Sequence, residues 1–118
     1  MDVFKSYLNH LPAAGTGASK STLFSSPRLL LGLNRLEPGS VQSLHIHDGQ
    51  DKFYHVIEGV GAFTVGTEVR EGGVGFTVWA PSGVDHGVAN RGSATLLLLV
   101  GIAPAPTGSS SKSAPTHK

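Results

Sequence analysis

His45 and His47 stand one residue apart in the stretch Gly39-Ser-Val-Gln-Ser-Leu-His45-Ile-His47, and His86 lies in Gly75-(five residues)-Pro81-Ser-Gly83-Val-Asp-His86-Gly-Val-Ala-Asn90. Three neutral imidazoles suit a divalent transition metal (Zn, Fe, Ni, Mn or Cu), and such a set leaves coordination positions open for water or substrate. An open position separates a working metal site from a structural one. A His-x-His pair alone is a weak signal, because two histidines on a strand are often surface residues. The second stretch is more specific, since it sets Gly, Pro, Gly, His and Asn at defined spacings.

Strand alternation sends His45 and His47 out on one face with Ile46 opposite, and by the same count Val41 and Ser43 share the histidine face. The turn Asp48-Gly49-Gln50-Asp51 then reverses the chain, so that the next strand can lie alongside. Further on, Pro81 limits strand extension and Gly83 permits turn geometry that a side chain would forbid. His86 then enters a strand pointing inward, with Val88 and Asn90 on its face.

The elements expected to hold these residues are almost all strands, at 19–25, 28–36, 42–47, 52–58, 60–66, 74–79, 84–91 and 94–101. Breakers separate most of them: Ser26-Pro27, Glu37-Pro38-Gly39, Asp48-Gly49, Gly59, Glu71-Gly72-Gly73 and Pro81-Ser-Gly83. Short strands at close spacing predict an all-β barrel or sandwich. Leu29-Leu-Leu31 and Leu96-Leu-Leu-Leu99-Val100 are apolar on both faces, so a second layer outside the barrel is expected, from the N-terminal segment or from a partner subunit.

Residues 1–18 read as a lead-in in which Phe4, Tyr7, Leu8 and Leu11 recur at helical spacing, so that a short helical turn could dock there, before Gly15-Thr-Gly17 breaks the pattern. The barrel spans 19–102. The segment 103–118, rich in Ser, Pro and Ala, reads as a disordered tail. His10 and His117, in these end segments, are not expected to be ligands.

At 118 residues the chain is one domain by the usual prior. A net charge of +1 with 14% charged residues gives no electrostatic case for nucleic acid or an anionic membrane. The absence of cysteine excludes disulfides, thiolate metal sites and cysteine nucleophiles. There is no signal-like N-terminal pattern and no apolar run of membrane-spanning length, so a cytoplasmic location is expected.

The two histidine stretches resemble the cupin superfamily, specifically the small cupins built from a single barrel (a double-stranded β-helix, jelly-roll-like). The family's first motif runs Gly, five residues, His-x-His, three or four residues, Glu, six residues, Gly; Gly39, His45, His47 and Gly59 match it. Its second motif runs Gly, five residues, Pro-x-Gly, two residues, His, three residues, Asn, and Gly75, Pro81, Gly83, His86 and Asn90 match throughout. The resemblance covers roughly residues 28 to 101. It implies a metal held by His45, His47 and His86, a small-molecule ligand or substrate, a homodimer, and chemistry among dioxygenases, isomerases, lyases and cyclases.

One position departs from the pattern: Lys52 stands where the family usually has a metal-binding Glu. An ammonium offers no lone pair and is repelled by a cation beside it. Either the loop shifts by one and Asp51 takes the carboxylate place, or Lys52 points away or pairs with Asp51 or Glu58, and Gln50 or water completes the shell. Asp51 or Gln50 is the expected fourth ligand.

Tyr54 shares the face of Lys52, and a phenol beside a metal could exchange a proton; an aromatic filling the barrel is the plain alternative. Lys52, Tyr54, Val56 and Val88 are the expected pocket walls, with Trp79 as core or wall. His55 reads as packing or interface rather than a ligand, and Phe76 replaces an acidic residue frequent in cupins. Asn34 and Arg35, near a strand end, could meet an anionic substrate, although a solvated side chain is the expectation for Arg35. Two function classes follow. One is a metal-dependent enzyme acting on an oxygen-bearing small molecule. The other is a non-catalytic barrel in which Lys52 supplies a positive charge to a ligand carboxylate. A sensor half of a transcription regulator is disfavoured, since no helix-turn-helix pattern or basic face is present.

Overall fold

The computed structural model describes residues 2–15 and 17–106. The tail beyond Pro106, with His117, lies outside them. Among the described residues nine strands follow one another: β1 (Ala18–Ser26), β2 (Leu29–Leu36), β3 (Val41–His45), β4 (Asp51–Glu58), β5 (Gly61–Val65), β6 (Glu68–Gly72), β7 (Thr77–Ala80), β8 (His86–Ala89) and β9 (Leu96–Ala103). They form two antiparallel sheets, ordered β1-β2-β9-β4-β7 and β3-β8-β5-β6, as the expected all-β barrel requires. Among the described residues no helix is long and apolar enough to cross a membrane.

Alternation along the central strands sorts the core. On β4, Lys52, Tyr54 and Val56 are buried while Phe53, His55 and Ile57 are half-buried on the other face. Tyr54 and Val56 join Leu36, Phe63, Val88, Leu96, Leu98, Val100 and Ile102 in the barrel core. Each leucine fully withdrawn from water stabilises the fold by roughly 1.5–3 kcal/mol.

The doubly apolar strands β2 and β9 have their second layer. Leu33 and Leu97 are buried on the outer face with Leu23, flanked by Tyr7, Phe24, Leu31, Ile57 and Leu99. Leu23 and Phe24 can both turn outward because a bulge interrupts the β1–β2 register between Thr22 and Phe24. The chain's own N-terminal segment thus contributes, through Tyr7. Among the described residues of the lead-in a short turn forms, the 3-10 turn Tyr7–Asn9, while Phe4 is 85% and Leu8 61% exposed, since one turn cannot present an i, i+3, i+4, i+7 stripe.

Strand β6 was not anticipated. Apart from Val69 its side chains carry no apolar signal, and most of it is exposed. It pairs on one side only, with β5, and charged residues are how edge strands resist further pairing. Strand β3 ends at His45 rather than at 47, and a register shift interrupts its pairing with β8 between Gln42 and His45. The extra residue changes the parity upstream of His45. Val41, expected on the histidine face, is 62% exposed; Ser43 is exposed as well. Gln42 turns inward instead, its Oε1 accepting from Asn34 Nδ2 at 3.4 Å.

Candidate functional site

His45 and His86 are direct partners in the β3–β8 ladder, and His47 follows in the loop after β3. Ring centroids lie 4.5 Å apart for His45–His86, 4.7 Å for His45–His47 and 5.3 Å for His47–His86. One nitrogen from each ring lies within 4.8 Å of the others, so the three could hold a metal ion.

The backbone sets the ring orientations. His45 Nδ1 lies 2.8 Å from the Ser43 carbonyl and His86 Nδ1 lies 3.1 Å from the Val84 carbonyl. A carbonyl only accepts, so each Nδ1 carries the proton and the lone pair falls on Nε2. The Nε2 atoms of His45, His47 and His86 are buried. A donor set with neutral imidazole lone pairs gathered this closely fits a divalent transition metal.

Two contacts join the motif loops. Gly83 N donates to His47 O at 3.1 Å, and Gly49 N donates to Ser82 Oγ at 2.7 Å. Gly83 adopts φ +80°, a conformation that L side chains rarely take, and this directs its N–H at the histidine loop.

The expected fourth ligands are engaged elsewhere. Asp51 Oδ1 accepts from Ser82 N at 3.0 Å and Asp51 does not join the histidine cluster. Gln50 Nε2 donates to Pro104 O at 3.1 Å. Parity explains Asp51: Lys52, Tyr54 and Val56 face inward, so Asp51 faces out.

Lys52 itself is inside the barrel, 2% exposed. It neither points away nor pairs with Asp51 or Glu58. Its Nζ lies 4.8 Å from the Tyr54 ring centroid. Loss of hydration, with the positive charge of Lys20 as a second cause, pulls its pKa down to about 7.

Tyr54 is fully buried, its ring 5.5 Å from Phe63 and 6.2 Å from His86 between centroids. Its Oη has no hydrogen-bond partner among the described residues. Burial pushes its pKa well above the ordinary phenol range, so it is a neutral O–H.

A cavity lies beside Lys52, one of the expected walls. It measures about 130 Å³, and Lys20, Thr22, Gly32, Asn34, Lys52 and Val100 are among its lining residues. Tyr54, Val56 and Val88 lie in the barrel core. Trp79 is 66% exposed and lines a separate surface cleft with Phe63, Phe76 and Arg70. Asn34 reaches the cavity, whereas Arg35 turns away and pairs with Glu37 at 2.9 Å. The Gly15 N–H, then the Thr95 hydroxyl and Arg35, hold the Glu37 carboxyl below its ordinary range. His55 contacts Thr77 Oγ1 at 2.7 Å, outside the barrel. Lys20 and Thr22 escaped the sequence reading; their alternation on β1, paired with Asn34 and Gly32, was the available signal.

The comparisons with known proteins agree with this architecture. The family model described as "Cupin domain" matches residues 32–102. The crystal structure of TT1209 from Thermus thermophilus is similar at 36% identity and TM-score 0.82, covering 87% of this chain and 98% of that one. A predicted oxalate decarboxylase from Thermotoga maritima is similar at 26% identity and TM-score 0.70, covering 73% of this chain and 79% of that one. KdgF from Halomonas sp., at 20% identity and TM-score 0.79, covers 90% of this chain and 96% of that one and shares the fold. Among curated proteins none matches. Two antiparallel sheets, the two histidine motifs brought together by the paired strands β3 and β8, and a family match over most of the barrel lead to one conclusion: the chain belongs to the cupin family.

Proposed function

We propose that this chain is a metal-binding cupin acting on an oxygen-bearing small molecule, with His45, His47 and His86 as the metal ligands. The observation that carries the reading is the convergence of three ligand nitrogens within 4.8 Å, with two Nδ1 atoms already committed to backbone carbonyls. When bound, the ion would supply Lewis-acid polarisation of a substrate oxygen or redox chemistry with dioxygen. His45 and His86 would present Nε2 without reorganisation, because their ring orientations are set before any ion arrives. Tyr54, whose ring centroid lies 6.2 Å from that of His86, keeps its hydroxyl proton and would offer it as a hydrogen-bond donor to an oxygen of the substrate. The description of the Thermotoga maritima neighbour as a predicted oxalate decarboxylase supports a small, oxygen-rich substrate.

The test is elemental analysis of the untagged protein beside a His45→Ala/His86→Ala variant. Near-stoichiometric metal, lost in the variant, is the expected result. A second reading, a non-catalytic binding barrel without metal, is favoured by one observation, the burial of Lys52 where the family usually carries Glu. No metal in either protein after reconstitution would select it.

A further inference from the structure

Lys52 is an amine held inside the barrel with no counter-charge among the described residues. Its ammonium is nearly inaccessible. Among the described residues no ion pair or hydrogen bond reaches it, and the Tyr54 ring face at 4.8 Å is its polar neighbour. Withdrawing an ammonium from water is strongly unfavourable unless an opposite charge is supplied. The cavity it faces makes matters worse. Lys20 lines the same space, and no described residue on that wall is a carboxylate. Two cations converge, then, with the neutral donors Thr22 and Asn34 on the same wall.

We propose that the cavity between β1, β2, β4 and β9 is an anion subsite that takes a carboxylate of the barrel's small-molecule ligand, with Lys52 as its inner contact and Lys20, Thr22 and Asn34 around it. This rests on the reading of the barrel interior as a ligand site, but not on the presence of a metal. The volume sets the ligand class. About 130 Å³ is the space of a few water molecules, enough for a carboxylate on a short chain. The strands supply the placement: Lys20 pairs with Asn34 and Thr22 with Gly32 across β1–β2, and Lys52 pairs with Ile102 on β9. An arriving carboxylate would also restore the charged form of Lys52, whose ammonium is otherwise disfavoured by burial and by Lys20. Tyr54 and Lys20 are the titratable groups that face it.

The experiment is calorimetric titration of the full chain with malonate, malonamide and inorganic phosphate in anion-poor buffer, first after chelation and then after metal loading. The same titrations are run on Lys52→Met, Lys52→Arg and Lys20→Gln. Malonate should bind both forms of the wild type. Lys52→Met should weaken that binding at least tenfold, Lys20→Gln several-fold, and Lys52→Arg should retain part of it. Malonamide, lacking the charge, should bind far more weakly. Met is a close apolar replacement for a buried Lys stem, and a melting curve confirms that each variant folds. Equal malonate affinity in wild type and Lys52→Met overturns the subsite, as does malonamide binding as tightly as malonate. Phosphate binding without malonate binding overturns the carboxylate assignment. Lys52-dependent malonate binding by a chain that takes up no metal upholds the subsite and defeats the metal reading. Malonate binding that needs metal and ignores Lys52 does the reverse.

Discussion

His45 and His86 face each other across the β3–β8 ladder with ring centroids 4.5 Å apart, and each imidazole is fastened by Nδ1 to the backbone carbonyl two residues before it. The same local device, used once on each motif, brings two lone pairs to one place. Because ligation needs neutral imidazole, bound metal should leave on acidification through the histidine range, around a reference pKa of about 6.5. Metal content measured after dialysis at stepped pH checks this; full retention well below about pH 5 would exclude a histidine site.

Gly87 is where β8 lets the β3 bulge come close. A Cβ there would lie 2.8 Å from the Gln42 carbonyl oxygen and 3.1 Å from Leu44 N, both backbone atoms that cannot swing aside. Gly87→Ala should therefore cost about 1–3 kcal/mol by overpacking, and it should weaken metal binding by displacing His45. Urea unfolding and a metal titration read the two effects. Wild-type values in both would mean the bulge is more pliant than its geometry indicates.

Asn90 closes the second motif as a buried staple. Its Nδ2 donates to Leu36 O at 2.9 Å and to Ala94 O at 2.8 Å, while Oδ1 accepts from Gly92 N at 3.0 Å. Asn90→Ala strands these backbone groups, and about 2–4 kcal/mol of stability should be lost. Denaturant midpoints at constant slope decide it; a loss below about 0.5 kcal/mol would show that water replaces the amide.

Tyr54 Oη is buried without a partner among the described residues, so its hydroxyl is a burden on the fold. Tyr54→Phe should leave stability unchanged or raise it by about 1 kcal/mol. A marked fall in melting temperature would reveal a hydrogen bond that the fold conceals.

Lys52 makes stability depend on pH. Its folded pKa of about 7 lies below the ordinary lysine value of 10.5, so between these limits the unfolded chain binds more protons than the folded one. Stability must then rise with pH across that window, by at most about 1.4 kcal/mol per unit. Lys52→Met should flatten the slope and raise stability at pH 7. Unfolding free energies at about pH 7, 8 and 9 test this, and parallel slopes in the two proteins would rule it out.

The all-β class and the three histidines of the candidate site were legible in the chain because they are written in local terms. Breakers such as Pro81 and Gly83 mark turns, alternation marks faces, and the two motifs set His45, His47 and His86 at recognisable spacings. What the chain did not disclose is whatever depends on register. The bulge before His45 turns Val41 out and Gln42 in, because one extra residue in a strand inverts the parity on which face-counting relies. Asp51 lost its expected role for the mirror reason: β4 runs unbroken from Asp51 to Val56 beside β9, so parity sends Lys52 inward and Asp51 out. Sequence alone determined that three imidazoles would converge in a β barrel. Only the tertiary structure decided that Lys52 joins Lys20, Thr22 and Asn34 around one cavity, because those residues lie on three separate strands and meet only when the sheet curls.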